Sequence, residues 1–378
     1  ISHDTPPLLT GPRGCRGVSI QIITGDVRDM LPTIPAKSVQ CVVTSPPYYG
    51  LRNYGVDGQI GLESTLTAYI ETMVDVFRLV RETLADNGVL WLNIGDSYAT
   101  DTKGSGGQTV KQITNAGAFY ESRKFNHGLK PKDLMMVPAR LALALQVDGW
   151  YLRSDIIWHK PNPMPESVQD RPTSAHEHIF LLTKSSRYYY DADAIREPLA
   201  ASSVSRLAQD VESQIGSDRA NGGAKTNGTM KAVVRTDKQS ELDKQTYTGL
   251  NERYRAKMGA RVNPDRNDDG RSNDHQHLIG HRANARNVWT IATVGFPGAH
   301  FATFPPEIPR RCILAGSREG DTILDPFAGA GTTLLVADRL GRNAIGIELN
   351  PEYAQMARDR VYNDAPLLAS LPTRTDGV

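Results

Sequence analysis

The sequence has few cysteines, almost no net charge and no long apolar run. Its 378 residues include three cysteines, Cys15, Cys41 and Cys312, and none of them has CxxC spacing. This argues against both a disulfide scaffold and a zinc knuckle. No apolar stretch approaches the length of a membrane span, and nothing resembles a signal peptide. We therefore expect a cytoplasmic protein that does not enter the membrane.

Charge gives little information about the ligand. The 43 lysines and arginines nearly balance the 42 aspartates and glutamates, for a formal net charge of +1. A balanced total does not indicate a nucleic-acid ligand, although it can hide an asymmetric face. Function has to be inferred from local motifs.

Strand and helix patterns alternate through most of the chain. Apolar residues recur three and four positions apart from 66 to 84, which predicts an amphipathic helix that ends at Asn87-Gly88. Strands are predicted at 18–24, 39–43, 89–94, 152–158, 178–183, 321–325 and 343–348, and further helices at 138–147, 332–340 and 351–361. The alternation predicts the α/β class, with a doubly wound and mostly parallel sheet.

Two polar stretches interrupt the alternation. Residues 101–128 are rich in Gly, Ser, Thr and Asn and have no periodicity, so we predict a mobile loop at about 100–130. From 196 to about 285 there are few large apolar residues, a composition typical of a small inserted domain or a partly disordered arm. The chain is thus predicted to consist of two parts of one domain, 1–195 and 288–378, separated by 196–287.

A glycine loop lies between a predicted strand and a predicted helix in the last part. Gly329 and Gly331 follow the strand that ends in Asp325, and glycines there let a ligand approach backbone N–H groups at a helix N-terminus. Glu348 ends the next strand, at the spacing of an acidic residue that accepts ribose hydroxyls. Neither GxGxxG nor a phosphate-binding GxxxxGK[ST] loop is present. The pattern predicts a nucleoside cofactor without saying which one.

The stretch TSPPYYG at 44–50 follows another predicted strand. Proline fixes φ and pushes the preceding residue into an extended conformation. Ser45, Pro46, Pro47 and Tyr48 should therefore form a stiff, extended segment at the end of the strand. Taken alone, this segment is equally compatible with a structural turn.

Four motifs together resemble the S-adenosylmethionine-dependent amino-methyltransferases of DNA. They are TSPPYYG at 44–50, HFATFPPEI at 300–308, DPFAGAGTT at 325–333 and GIELNPEY at 346–353. Their order resembles the circularly permuted group β, and it implies a Rossmann-like fold with a catalytic half (1–195), a target-recognition region (196–287) and a cofactor-binding half (288–378). The nucleoside-binding half-sheet needs one more strand, and 18–24 can supply it.

The resemblance also implies roles for particular residues at the S-adenosylmethionine site. Glu348 would hold the ribose hydroxyls, Asp26 would lie near the adenine amine, and the methionine end would be lined by residues 301–304. The residues implied at the cofactor site are Asp26, Thr44, Phe301, Thr303, Phe304, Asp325, Phe327, Gly329, Gly331, Thr332 and Glu348.

The acceptor implied by the resemblance is an exocyclic amine of a base flipped out of double-stranded DNA. The Ser45 hydroxyl and the Pro46 carbonyl would accept its N–H groups, aimed by the rigid prolines, and Tyr48 would stack on the base. The residues expected to contact DNA are Arg52, Tyr54, Lys160 and Asn162. No metal is expected: His176 and His178 alternate along a predicted strand and lack a third ligand.

Several alternatives stay open at this stage. Serine at the first position of the tetrapeptide resembles the cytosine-N4 enzymes, whereas aspartate or asparagine usually marks adenine-N6 enzymes. We therefore expect transfer to cytosine N4, with adenine N6 as the alternative. A catalytically silent DNA-binding protein would not need the glycines, Glu348 and SPPY, and an enzyme acting on RNA or on protein glutamine should carry an NPPY-type tetrapeptide. The sequence leaves open the recognition sequence, a prokaryotic or phage host, a monomer or homodimer, and a cognate restriction endonuclease.

Overall fold

The computed structural model describes residues 18–50, 56, 58–99, 128–198, 282–293 and 304–364. The chain divides into two compact units, one made of Ile1–Ile195 with Ala285–Val378 and one of Arg196–Asn284. The predicted mobile loop and most of the predicted target-recognition region lie outside the described residues, so the predicted boundaries remain predictions. In the smaller unit, strand β6 (Glu197–Pro198) pairs antiparallel with β7 (Arg282–Ala283).

The larger unit contains eight strands and six α-helices among its described residues. The strands are β1 (Ile20–Thr24), β2 (Val39–Thr44), β3 (Leu84–Ile94), β4 (Tyr151–His159), β5 (His176–Thr183), β8 (Val288–Thr290), β9 (Thr322–Asp325) and β10 (Asn343–Glu348). The helices are α1 (Val27–Met30), α2 (Leu66–Thr83), α3 (Val137–Val147), α4 (Glu307–Gly316), α5 (Thr332–Arg339) and α6 (Pro351–Asn363).

The eight strands form one sheet in the order β1-β10-β9-β2-β3-β5-β4-β8. The first five strands in this order, β1-β10-β9-β2-β3, are parallel to their neighbours, whereas β5 is antiparallel to both β3 and β4. The predicted fold class is therefore confirmed. Strand β1 pairs with β10, so that Thr24 lies beside Glu348, and the strand from the first part of the chain completes the half-sheet as predicted.

Helices cover both faces of this sheet. Because side chains of successive strand residues point to opposite faces, neighbouring residues of β2 belong to two different buried clusters. Val42 belongs to the buried cluster that includes Phe77 of α2 and Leu141 of α3. Its neighbours Cys41 and Val43 belong to the second cluster, with Leu335 of α5 and residues of α4 and α6. No helix of the described residues is long and apolar enough to cross a membrane.

The helix predicted at 66–84 is confirmed to within one residue, but the prediction that Asn87-Gly88 stops it was wrong. The helix ends at Thr83, and β3 begins directly at Leu84 instead of Val89. The pair Asn87-Gly88 lies inside the strand, where the register with β2 shifts between Val39 and Cys41. A Cβ on Gly88 would approach Leu84 Cδ2 to 2.8 Å, so glycine here allows the irregular strand rather than ending a helix.

Candidate active site

The carboxyl ends of the parallel strands meet at a cavity of about 590 Å³. Parallel α/β sheets bind ligands at this edge. Residues predicted for the cofactor and the target base line the same cavity: Asp26, Ser45, Pro46, Pro47, Tyr48, Phe304, Asp325, Phe327, Gly329, Thr332 and Glu348. Predictions from both ends of the chain therefore converge on one cavity.

The glycine loop turns sharply between β9 and α5. Gly329 and Gly331 both have positive φ, 51° and 74°, a conformation that costs little only for glycine. A Cβ on Gly331 would also lie 2.9 Å from the Ala357 Cβ of α6. Gly331 thus has a packing role behind the cavity wall, since it is not itself among the lining residues.

Asp325 is buried at the base of this loop, with 2% of its surface exposed. Its Oδ1 accepts hydrogen bonds from the Thr44 hydroxyl at 2.7 Å and from the Phe327 N–H at 3.1 Å. Burial raises the pKa of its carboxyl to about 6, although hydrogen bonds from Thr333, Thr44 and Phe327 oppose the shift. Thr44 does not line the cavity; it connects β2 to the loop by supporting Asp325.

Glu348 uses both carboxylate oxygens to shape the loop. Oε2 accepts the N–H of Gly329 at 2.8 Å, and Oε1 accepts the N–H of Asn350 at 2.9 Å. Burial raises the pKa of this carboxyl, an effect that these backbone donors oppose. Each carboxylate oxygen has two lone pairs, so capacity remains for ribose hydroxyls. Gly329, which lacks a Cβ, and these acceptors together fit a nucleoside cofactor.

Asp26 follows β1 and comes directly after Gly25, whose N–H donates to the Glu348 carbonyl at 2.9 Å. The Asp26 carboxylate accepts the N–H of Arg28 at 2.9 Å as the N-cap of α1, and forms an ion pair with the Arg28 guanidinium. The hydrogen bond from Arg28 lowers the pKa of Asp26. Arg28 also donates to the Gly58 carbonyl at 2.9 Å. Asp26 is thus ionised and oriented before any ligand binds, while its role at the adenine remains a prediction.

Contacts to β3, β5 and α2 hold the SPPY segment against the sheet. The Tyr69 hydroxyl of α2 donates to the Pro47 carbonyl at 2.9 Å. A Cβ on Gly95 would be 2.8 Å from Tyr48 Cε2, so the ring of Tyr48 packs directly on this glycine. The Tyr48 hydroxyl donates to Glu177 Oε2 at 2.7 Å. The segment is therefore more than a strand-exit turn, since its hydroxyls lie in a hydrogen-bonded cluster.

Two members of that cluster, Glu177 and Asn93, were not predicted from the sequence, and both line the cavity. Strand alternation was the available signal, because it puts Glu177 on the face opposite to its neighbours His176 and His178. His178 instead contacts Asp155 through Nδ1 at 2.9 Å. Among the described residues, no group of three or more His, Cys, Asp or Glu side chains could hold a metal ion.

Comparison with known proteins decides the family. The DNA methylase family model for N6 and N4 methyltransferases matches residues 39–359. The chain is 42% identical over 346 residues to the type II methyltransferase M.SmaI of Serratia marcescens, covering 91% of each protein. The chain belongs to the DNA methylase family. The predicted resemblance to S-adenosylmethionine-dependent amino-methyltransferases of DNA is therefore confirmed at the level of the family.

One further relative of this DNA methylase and one solved structure are matched over similar lengths. The type II methyltransferase M.Cfr9I of Citrobacter freundii is 39% identical, with 91% of this chain and 88% of that protein covered. The solved structure of the PvuII DNA methyltransferase, described as cytosine-N4-specific, is 16% identical with a TM-score of 0.49, covering 91% of this chain and 90% of that one.

Two of the residues predicted to contact DNA in this DNA methylase, Lys160 and Asn162, differ from each other in the contacts that they make. Lys160 lines the cavity, where Nζ forms an ion pair with Glu177 Oε1 at 2.5 Å and lies 4.5 Å from the centre of the Trp158 ring. Asn162 exchanges two hydrogen bonds with the backbone of Thr293, at 2.9 and 3.0 Å. DNA contact by these side chains stays a prediction, and the predicted residues Arg52, Tyr54, Phe301 and Thr303 lie outside the described residues.

Proposed function

We propose that this DNA methylase transfers the methyl group of S-adenosylmethionine to the N4 amine of a cytosine in double-stranded DNA. The observation that carries the proposal is one cavity lined by both the SPPY segment and the glycine loop with Glu348. Its volume of about 590 Å³ lies within the usual range for small-ligand sites. A methyl donor and an acceptor base can therefore meet in it.

Each side of the cavity has its own part in this reaction. S-adenosylmethionine, when bound, supplies an electrophilic methyl group on its sulfonium. Glu348 and the glycine loop hold the nucleoside part, and the buried carboxyl of Asp325 lies at the foot of that loop. Holding donor and acceptor in one orientation removes much of the entropic barrier to transfer.

The SPPY segment acts on the amine. The lone pair of an exocyclic amine is delocalised into the ring, which makes the nitrogen a poor nucleophile. The Ser45 hydroxyl and the Pro46 carbonyl accept its N–H groups, which favours a pyramidal nitrogen and stabilises the positive charge that develops during transfer. The Pro47 carbonyl already accepts a hydrogen bond from the Tyr69 hydroxyl, so it anchors the segment. The Ser45 hydroxyl and the Pro46 carbonyl are then the groups that face the base. Tyr48 provides the stacking surface.

A duplex base reaches this cavity only by leaving the helix, at a cost of a few kcal/mol that stacking on Tyr48 partly offsets. Residues 196–287 are proposed to read the target sequence, and Arg52, Tyr54, Lys160 and Asn162 to contact the strand. Asn162→Ala should then weaken DNA binding in a fluorescence anisotropy titration, and unchanged affinity would remove Asn162 from this set.

The first residue of the tetrapeptide, Ser45, supports cytosine over adenine. The test is to incubate the purified protein with isotopically labelled S-adenosylmethionine and DNA, digest the DNA to nucleosides and identify the labelled product by mass spectrometry. We expect N4-methylcytosine. N6-methyladenine would overturn the choice of base, and labelling of RNA or protein with none on DNA would overturn the reaction.

A further inference from the structure

A cluster of polar side chains surrounds the Tyr48 hydroxyl at the amine end of the cavity. Glu177 Oε2 accepts from the Tyr48 hydroxyl at 2.7 Å and from Asn93 Nδ2 at 3.0 Å. Glu177 Oε1 is paired with Lys160 Nζ. On the other side of Tyr48, the Ser45 hydroxyl oxygen is 3.4 Å from the phenol oxygen. Ser45, Tyr48, Glu177 and Lys160 form a chain of polar contacts that ends on a cation, and Asn93 joins this chain at Glu177.

The direction of each hydrogen bond in this chain is determined by chemistry. An ionised carboxylate has no proton to give, so it only accepts. Asn93 contributes its amide N–H to Glu177, and Lys160 contributes its ammonium group. The Tyr48 hydroxyl must therefore donate its single proton to Glu177. Burial raises the pKa of Tyr48 well above its ordinary value, which keeps that proton on the phenol.

The phenol oxygen of Tyr48 is consequently left as an acceptor, and the neighbouring hydroxyl that can donate to it is Ser45. A serine hydroxyl has one proton and two lone pairs. When its proton points to Tyr48, its lone pairs are free on the remaining sides. Amine activation needs an oxygen that accepts an N–H group, and a proton pointing at the amine would oppose it.

We propose that Glu177 is a positioning residue that acts through the Tyr48 hydroxyl and orients the Ser45 hydroxyl as an acceptor for the target amine. This inference rests on the proposed amine transfer, and it holds for either base. Glu177 also fixes the Tyr48 ring, because the hydroxyl is tied on one side while Gly95 packs against the ring. The sequence motif thus depends on a carboxylate 129 residues away from Tyr48.

The competing explanation is that Glu177 has only a structural role, in which it neutralises the charge of Lys160. A double-mutant cycle distinguishes this structural role from the positioning role. The variants are Glu177→Gln, Tyr48→Phe and the double variant, measured by single-turnover methylation of duplex DNA at saturating S-adenosylmethionine. Glu177→Gln should lower the rate constant about 100-fold, as expected for a misplaced catalytic group, and change the cofactor dissociation constant less than about twofold. Asp155→Asn is the matched control, because it removes a paired carboxylate on neighbouring β4 that contacts His178.

In the Tyr48→Phe background the connecting hydroxyl is gone, so Glu177→Gln should lower the rate constant by no more than about threefold further. A full, additive loss in that background would overturn the positioning role. If Glu177→Gln does not fold, Glu177→Asp keeps the charge beside Lys160 but shortens the reach to Tyr48, and the same cycle applies. If the unmodified protein does not label DNA, both proposals are overturned. If the product is N6-methyladenine and the cycle is coupled, only the choice of base is overturned. If the cycle is additive, only the role of Glu177 is overturned.

Discussion

The two ends of the cavity are built by different kinds of contact. At the cofactor end, Glu348 binds the N–H groups of Gly329 and Asn350, 19 and 2 residues away in the sequence. At the amine end, Tyr48 and Asn93 meet Glu177 across 129 and 84 residues, through side chains. Glu348 at the cofactor end is therefore held by backbone groups near it in the sequence, although the Thr44 hydroxyl supports Asp325 there from 281 residues away. The amine end depends instead on how distant strands are aligned in the sheet.

The comparison is tested most strongly at the amine end. Ser45→Ala removes the proposed acceptor, and the methyl-transfer rate constant should fall about 100- to 1,000-fold, as for other groups that stabilise transition-state charge. Calorimetric titration should show unchanged binding of S-adenosylmethionine. Ser38→Ala is the control, since that hydroxyl donates to the Pro35 carbonyl on the exposed surface. Loss of cofactor binding in Ser45→Ala would place Ser45 at the other end of the cavity.

At the cofactor end, backbone geometry should dominate stability. Gly331→Ala adds a Cβ 2.9 Å from that of Ala357 at a φ of 74°, and should lower the free energy of unfolding by about 2–4 kcal/mol. Gly320→Ala is the matched control, because its φ is also positive, at 82°, but no atom lies within 4 Å. It should cost only about 1 kcal/mol. Equal urea midpoints for the two variants would show that the contact with α6 contributes nothing.

Glu348→Gln should act on cofactor affinity more than on the chemical step. Glutamine offers one acceptor oxygen where the carboxylate offers two, so the N–H of Gly329 or of Asn350 loses its partner. The dissociation constant for S-adenosylmethionine should rise about 10- to 100-fold, with a much smaller change in rate at saturating cofactor. Glu352→Gln in the first turn of α6 is the control, because Glu352 is exposed. A larger effect on the saturated rate than on binding would contradict this assignment.

The smallest expected effect is on the pH dependence of binding. The pKa of Asp325 is raised to about 6 by burial, so its charge is present above that pH and is lost as the pH falls through it. Binding of the cationic sulfonium should weaken several-fold between pH 7.5 and pH 5, and binding of S-adenosylhomocysteine, which lacks that charge, should weaken less. Asp325→Asn should flatten the difference; the same pH profile in that variant would exclude Asp325 as its origin.

The cofactor end was predicted from the sequence because its signals are local. A strand, two glycines, a helix and an acidic residue at the end of the next strand sufficed to single out Glu348. A role for Asp325 was implied by the family resemblance, and both residues line the cavity. The same local reasoning went wrong at Asn87-Gly88, which was predicted to end a helix and instead lies inside β3. An Asn-Gly pair indicates an irregular backbone, but it does not tell whether that backbone belongs to a helix end or to a strand.

The place of Glu177 in the site could not be predicted from the sequence, for a physical reason. Its partners depend on β5 lying antiparallel beside β3, a pairing that aligns Ile94 with His178. Nothing in the triplet of His176, Glu177 and His178 specifies that alignment. The ion pair of Lys160 with the half-buried Glu177 was likewise not predicted, because a lysine in a proline-rich loop gives no sign of a distant partner. DNA contact by Lys160 stays a prediction.

The sequence alone determined the alternation of strands and helices, the glycine turn with its acidic partner and the rigidity of SPPY, since each depends on the backbone preferences of neighbouring residues. Only the tertiary structure decided that Thr44 supports Asp325 and that Glu177 meets Tyr48. Such contacts arise from the pairing of distant strands, which is set by the packing of the whole sheet between its helices.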